Sequence, residues 1–320
     1  MRNIKDYQFK ELLRGQPIVD SFKQIRNDAY LAWYCRLQPN DLSSFLSHID
    51  SKLAQKTLVI SIAFERPETI GLLVANTKKH FQDAMLVIAD NSYTTEARRK
   101  IKQICDDASV PYIVLPTNST KHANRSHGMA IQWCFENIVK VIGPQLFAFI
   151  DHDLIPAKPI NFSQTIKNQP FYGVLWKSRK TDTWQLWAGY CLFDYKVIAQ
   201  YKLNFLYDFS KGLDTGGRNH QVLYQYFDKE KLCFSSDIQV DFKVSSSAEE
   251  NRMQVIDDCW FHMGGAGHLK AFESRYEVFE RQMNALDALQ NWSVMSSDCF
   301  SNAYCRVMGL GYKKKADGSI

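Results

Sequence analysis

The sequence LFAFIDHD at residues 146–153 places two carboxylates directly after an apolar run. Such a run predicts a strand that is buried on both faces. Side chains two residues apart on a strand point the same way, so Asp151 and Asp153 can face one cation while His152 turns aside. So few hard oxygen ligands suit Mg²⁺ or Mn²⁺ that keeps positions open for substrate phosphates. The stretch therefore predicts a divalent metal site, and the alternative is a solvated turn.

Similar apolar runs alternate with helical patterns before this strand. The runs lie at residues 57–64, 85–89 and 112–115, and the helical patterns at residues 67–80, 95–107 and 126–139. This alternation predicts β-α-β units and a mostly parallel sheet with helices on both faces, an α/β fold. Polar groups follow three of the strands, at residues 65–66, 90–92 and 151–153. Because ligands collect beyond the carboxyl ends of parallel strands, we expect a binding site at this edge.

Helices are expected at both ends of the chain. Phe22, Ile25 and Trp33 recur at helical spacing after Asp20 and Ser21, either of which can cap the helix start. A second short helix is expected after Asp41. An amphipathic helix is expected near the C-terminus, with apolar positions at Leu269, Phe272, Tyr276, Phe279, Met283, Leu286 and Leu289. We expect the apolar faces to pack on the protein's own core, with peripheral membrane contact or a partner subunit as alternatives.

The alternation is less regular after residue 159. Strands are predicted at residues 172–176 and 186–193, and a glycine-rich turn that opens a helix at residues 212–217. The polar stretch at residues 244–251 predicts a loop.

Composition describes an ordinary globular protein. The chain has 320 residues, is 45% hydrophobic and 23% charged, and carries a formal net charge of +5. That charge is interspersed, which excludes a nucleic-acid arm, and the lysines at residues 313–315 are expected to form a solvated tail. The 8 cysteines form no Cys-x-x-Cys pair, which favours reduced thiols over a zinc site. With no leader or transmembrane pattern, a cytoplasmic location is expected.

Four motifs occur in order within residues 57–156: SIAFERPE at 61–68, VIADNS at 87–92, NRSHG at 124–128 and FIDHD at 149–153. Together they resemble glycosyltransferases of the GT-A fold, and most closely the family-two group. The resemblance implies a Rossmann-like sheet with helical extensions at both ends. The implied division is a helical extension at 1–56, a GT-A catalytic domain at 57–268 with a donor half (57–158) and an acceptor half (159–268), and a C-terminal helix and tail at 269–320.

The resemblance also implies a nucleoside-diphosphate sugar donor and a bound Mn²⁺ or Mg²⁺. The segment WFHMGG at residues 260–265 is similar to the family segment whose histidine completes the metal shell, which implies His262 as a ligand. A hydrogen-bonded core histidine is the alternative for His262. The other implied roles are Ala63, Phe64 and Glu65 in the base pocket, Asp90 on the base or ribose, and Asp151 and Asp153 on ribose and metal.

The transfer chemistry needs charge stabilisation and a base. A leaving diphosphate gains negative charge, which the metal and a nearby cation such as Arg125 are expected to stabilise. An acceptor hydroxyl must also lose its proton, usually to a carboxylate. The acidic pair typical of the family is not plainly present here. Asp214 is the candidate base and Asp182 the weaker alternative, while a cap or turn role is the other interpretation of Asp214. Inversion at the anomeric carbon is implied by the resemblance alone.

Tryptophans in the implied acceptor half can contact a sugar ring. Trp184 and Trp187 offer flat aromatic faces, and Trp184 is expected to be exposed because polar residues flank it. Core packing is the alternative for both. The acceptor is expected to be a glycan, a lipid-linked molecule or another hydroxyl compound.

Two other functions fit an α/β sheet with a metal site. A nucleotidyltransferase that makes sugar nucleotides is expected to carry a glycine-rich loop after the first strand, whereas FERP at residues 64–67 contains no glycine. A binding module that has lost its chemistry is expected to have lost its ligands, whereas both aspartates and the segment around His262 remain.

Overall fold

The structure is a computed structural model that describes residues 2–242, 251–266, 304–307 and 310–314, and single positions between 273 and 284. The α-helices are α1 (Phe9–Leu13), α2 (Gln16–Tyr34), α3 (Leu42–Leu53), α4 (Pro67–His80), α5 (Thr95–Ala108), α6 (Ala123–Cys134), α7 (Lys140–Ile142), α8 (Phe162–Thr165), α9 (Tyr195–Ile198) and α10 (Asn219–Val222). The strands are β1 (Thr57–Ala63), β2 (Ala84–Asp90), β3 (Tyr112–Val114), β4 (Leu146–Asp151), β5 (Leu154–Pro156), β6 (Phe171–Lys177), β7 (Trp184–Asp194), β8 (Asp237–Phe242), β9 (Asn251–Ile256), β10 (Trp260–His262), β11 (Tyr304–Val307) and β12 (Leu310–Lys314).

The main sheet is mostly parallel. Its six strands have the order β3-β2-β1-β4-β7-β6. The first four run parallel, whereas β7 is antiparallel to both of its neighbours. The predicted α/β fold is therefore confirmed, as are the four strands read from the apolar runs.

Helices cover both faces of this sheet. On one face Val59 of β1 packs in a cluster with Leu73 of α4 and Ile101 of α5. On the other face Ile60 packs in a cluster with Ile49 of α3 and Trp133 of α6. Every residue of β1 is buried. This double burial explains why the strand is a continuous apolar run instead of an alternating one.

A second, antiparallel sheet has the order β11-β12-β8-β9-β10-β5. Its edge strand β5 follows Asp153 directly and pairs with β10, so that His262 lies opposite Leu154. Strands β11 and β12 lie in the stretch for which the sequence predicted a helix and a tail, and β12 includes Lys313 and Lys314. The second sheet thus joins a segment late in the chain to the end of β4.

Part of the predicted C-terminal helix is described. Residues 273, 276, 277, 279–281, 283 and 284 are helical, and Phe279 and Met283 are buried against the core. The other predicted apolar positions, Leu269, Phe272, Leu286 and Leu289, lie outside the described residues. The polar loop predicted at 244–251 also lies outside them, except for Asn251, which begins β9.

The N-terminal helix differs from its prediction in two ways. It begins at Gln16 after Gly15, which has a φ of 61°, so Asp20 and Ser21 lie inside the helix and cap nothing. Pro17 lies in the first turn of this helix, where a proline is tolerated, so the helix can begin before Asp20. The expectation that Phe22 and Ile25 pack on the core is wrong, because they are 70% and 66% exposed.

Among the described helices, none is both long and apolar enough to cross a membrane.

Candidate functional site

A cleft of about 360 Å³ opens at the carboxyl ends of the parallel strands. Ile62 and Asn91 line it where β1 and β2 end, and Asp151 lines it at the end of β4. Further lining residues are Phe64, Tyr93, Thr120, Lys121, Ala123, Asn124, Ser126, His127, His152, Asp153, Trp187, Ala188, Asp214, Thr215, His262, Gly265 and Ala266. The cleft thus lies at the edge of the sheet where the sequence predicted a binding site.

Three candidate metal ligands converge in this cleft. One ligand atom from each of Asp151, Asp153 and His262 lies within 4.8 Å of the other two. The His262 Nε2 atom is 3.3 Å from Asp153 Oδ1 and 4.0 Å from Asp151 Oδ2. The pairing of β5 with β10 brings them together, because it places His262 next to the residue that follows Asp153.

Neighbouring groups hold these ligands in position. The Ala266 N–H donates to Asp153 Oδ2 at 3.1 Å, which leaves Oδ1 facing His262. Gln254 lies opposite His262 in the pairing of β9 with β10, and its Oε1 accepts from His262 Nδ1 at 2.5 Å. With the proton on Nδ1, the Nε2 lone pair faces the two carboxylates.

The donor set fits a divalent cation. His262 Nε2 is buried and has no hydrogen-bond partner among the described residues, although two carboxylates are nearby. Buried polar atoms are nearly always hydrogen-bonded, so a buried imidazole nitrogen without such a partner, between two carboxylates, fits the role of a metal ligand. One imidazole nitrogen and two carboxylates suit Mn²⁺, and Mg²⁺ through the oxygens.

The two carboxylates of the cluster lie close to each other and to His262, and burial and these charges shift the pKa of all three residues. Burial and the charge of Asp153 raise the pKa of Asp151 above its usual range. Burial would also raise the pKa of Asp153, but the charge of His262 outweighs burial and holds that pKa below its usual range. Burial lowers the His262 pKa, but Asp153 outweighs it, so the net shift is upward. A bound dication would relieve the repulsion between the carboxylates.

The residues predicted for the base pocket divide into two groups. Phe64 lines the cleft, and its ring meets that of Tyr93 edge to face with centroids 5.5 Å apart. Ala63 is fully buried in the core and does not line the cleft. The sequence analysis missed Tyr93, which no motif singled out.

Glu65 and Asp90 lie behind the cleft wall. Glu65, at a φ of 56°, accepts hydrogen bonds from the Thr94 N–H at 2.8 Å and the Thr94 hydroxyl at 2.6 Å. Asp90 is fully buried and accepts from the Ser92 N–H at 2.8 Å and the Tyr112 hydroxyl at 2.7 Å. In this structure both carboxylates therefore hold the turn between β2 and α5.

The basic side chains that line the cleft are not the expected one. Arg125 is in the first turn of α6 and does not line the cleft, whereas the neighbouring Lys121 does. His127, one turn into α6, has its Nε2 3.6 Å from Asp151 Oδ1. The motif NRSHG contains His127, but only the fold shows that it reaches the acidic cluster. His152 turns its Nδ1 to the Ile62 carbonyl at 3.1 Å.

Asp214 lies on the wall of the same cleft. Its Oδ1 accepts hydrogen bonds from the Asn124 side-chain amide and from the Thr215 N–H. Its charge contributes, after burial and Asp153, to the raised pKa of Asp151. The weaker candidate, Asp182, is exposed on the loop between β6 and β7 and does not line the cleft.

The two tryptophans have different surroundings. Trp187 lines the cleft, with its ring centroid 4.7 Å from that of His262. Trp184 is only 8% exposed and stacks on Tyr224 at 5.0 Å, so the expectation that it is exposed is wrong. The first residue of β7 faces the aromatic core here, and the polar residues beside it say nothing of that face.

Comparison with known proteins leaves the family open. No protein-family model matches the chain. No curated protein matches it in sequence. Among solved structures, the apo structure of WbbM, described as a bifunctional glycosyltransferase, is similar over 46% of this chain at 10% identity and a TM-score of 0.32. The chain spans 32% of that neighbour's length. A similarity this weak does not identify a function for this chain.

Proposed function

We propose that this protein is a metal-dependent glycosyltransferase that moves a sugar from a nucleoside-diphosphate donor to an acceptor hydroxyl, with inversion. The observation that carries the proposal is the convergence of Asp151, Asp153 and His262 in a cleft at the carboxyl ends of parallel strands. The placement of Asp214 on the same cleft supports it, because inversion requires a base as well as a stabilised leaving group.

In the proposed reaction Asp214 takes the proton of the acceptor hydroxyl, and the hydroxyl oxygen attacks the anomeric carbon of the donor sugar. The bond from that carbon to the diphosphate breaks, and the diphosphate leaves with the electron pair. A cation held by Asp151, Asp153 and His262 would supply charge stabilisation to that diphosphate. The Asn124 amide, which donates to Asp214 Oδ1, orients the carboxylate.

The cleft also offers surfaces for the two substrates. Phe64 and Tyr93 present aromatic faces and edges suited to a nucleobase. Lys121, which lines the cleft, would bind a phosphate of the donor in place of Arg125. Trp187, beside His262, suits the apolar side of a transferred or accepting sugar. We propose a glycan or lipid-linked hydroxyl compound as the acceptor.

The first test is calorimetric titration of the protein with a panel of nucleoside diphosphates, with and without Mn²⁺. At least one diphosphate is expected to bind at least about tenfold more tightly with Mn²⁺, because a cation held by Asp151, Asp153 and His262 would attract the negatively charged phosphates. If no diphosphate bound with metal present, the donor site would be wrong. Nucleoside monophosphates serve as the control, since they lack the second phosphate.

A second test concerns the hydrogen bond from His262 to Gln254. We expect Gln254→Leu to weaken Mn²⁺ binding about 10- to 100-fold, because the Nδ1–H loses the oxygen that orients the ring. Gln254→Glu keeps an oxygen at this position and is expected to retain affinity. Calorimetry with Mn²⁺ alone measures both, and equal affinities of the Leu variant and the unaltered protein would contradict the role.

A further inference from the structure

The solvent-facing side of the N-terminal helices is apolar. On α2, Ile18, Phe22 and Ile25 are 64%, 70% and 66% exposed. On α1, Phe9 and Leu13 are 73% and 72% exposed. Isolated exposed apolar side chains are ordinary, but a group of large ones on adjacent helices marks an interaction surface. We name it the N-terminal apolar face, formed by Phe9, Leu13, Ile18, Phe22, Ile25 and Trp33.

The opposite side of α2 already packs on the protein. Leu31 and Tyr34 are buried, and the Tyr34 hydroxyl donates to the Pro116 carbonyl at 3.0 Å. Asn27 donates to the Tyr207 hydroxyl at 3.2 Å. At about 100° per residue these positions lie on the far side of the helix from Phe22 and Ile25. The apolar face is therefore additional to the side that α2 uses for folding.

Exposed cations lie on and between the same two helices. They are Lys10, Arg14, Lys23 and Arg26. Within the described part of the chain, no carboxylate forms an ion pair with Lys10, Arg14 or Lys23. The face therefore presents positive charge beside apolar side chains.

The acidic residues of α1 and α2 form ion pairs or hydrogen bonds with other side chains. Glu11 forms an ion pair with Arg2 at 3.0 Å, and Asp28 with Arg218. Asp20 accepts a hydrogen bond from the Tyr7 hydroxyl at 3.2 Å. Glu11 and Asp28 are thus paired with cations outside these two helices, so the remaining charge beside the apolar face is mainly positive.

We propose that the N-terminal apolar face binds the surface of an anionic lipid bilayer. Large apolar side chains bordered by lysine and arginine have the two signals that such binding needs, apolar burial and attraction to acidic headgroups. A second copy of the chain would bring the same cations against each other, which disfavours self-association through this face. The complementary occupant is thus negatively charged and apolar beneath its charges.

The helix α2 that carries most of this face also contacts the loop beside the cleft. The Tyr30 hydroxyl of α2 lies 2.9 Å from the Ser119 hydroxyl, and the next residues, Thr120 and Lys121, line the cleft. Docking would therefore hold the cleft near the lipid headgroups. If the proposed transfer reaction is right, this placement favours a lipid-linked acceptor, but the binding itself does not depend on that reaction.

Vesicle sedimentation with the full chain tests the proposal. We expect the protein to sediment with vesicles of phosphatidylcholine mixed with phosphatidylglycerol, and not with pure phosphatidylcholine. Phe22→Ser is expected to reduce the partition coefficient about tenfold, since one aromatic side chain no longer enters the interface. Lys23→Glu is expected to reduce it by a similar factor, about tenfold, and added salt should weaken binding.

Matched controls separate the face from the rest of the surface. Tyr226 is 64% exposed, and Tyr226→Ser should bind vesicles like the unaltered protein, as should Lys202→Glu. Since all four side chains lie at the surface, melting temperatures should be similar. Equal binding to neutral and anionic vesicles, or no binding, would overturn the proposal. So would a dimer in light scattering that Phe22→Ser dissociates, because a second copy would then cover the face.

Discussion

Asp153→Ala is expected to abolish the metal-dependent binding of nucleoside diphosphates, with a loss in affinity of about a hundredfold or more. Asp153 is the most buried member of the cluster, and its Oδ1 is the oxygen nearest His262 Nε2, at 3.3 Å. Without it the cation would keep Asp151 and His262, whose nearest atoms are 4.0 Å apart. Titration of a diphosphate with and without Mn²⁺ measures the loss.

A second variant separates charge from structure. Asp153 Oδ2 accepts the Ala266 N–H at 3.1 Å, so Asp153→Ala also removes a structural contact. Asp153→Asn can keep an oxygen for that N–H and removes only the negative charge. It too is expected to lose metal-dependent affinity while its melting temperature stays close to that of the unaltered protein. Retained Mn²⁺-dependent affinity in both variants would mean that the cation is held elsewhere.

The sheet was predictable because its signal is local. Strands buried on both faces must be continuous apolar runs, and β1 and β4 are such runs in the sequence. The strands from β1 to β4 alternate with helices along the chain, and this alternation predicts that neighbouring strands are parallel. The placement of Asp151 and Asp153 at the carboxyl end of β4 follows from the same run.

The contacts that complete the site were not predictable in this way. Gln254 reaches His262 through the pairing of two strands of the second sheet, and Asn124 reaches Asp214 across 90 positions of sequence. Neither contact leaves a periodic pattern, because each depends on how separate segments meet. His127 is similar, since its distance to Asp151 depends on how α6 packs on the main sheet.

Side-chain exposure was the weakest part of the sequence analysis. Trp184 was expected to be exposed from its polar neighbours but is buried at 8%, while Phe22 is 70% exposed. Helical spacing identifies α2 correctly, yet it does not say which side of the helix the core will use. The core takes the side with Leu31 and Tyr34, and a second apolar side remains in solvent.

Asp214→Asn is expected to slow sugar transfer about 100- to 10,000-fold while metal-dependent donor binding stays within about twofold, because a general base acts only in the chemical step. Asparagine keeps an oxygen for the Asn124 amide and the Thr215 N–H but cannot take a proton from the acceptor hydroxyl. Asp182→Asn is the matched control, since Asp182 is an exposed aspartate that does not line the cleft. Turnover with a fixed donor and calorimetry with its diphosphate separate the two effects. Unchanged turnover in Asp214→Asn would remove this residue from the mechanism, and a loss confined to Asp182→Asn would move the base to the loop between β6 and β7.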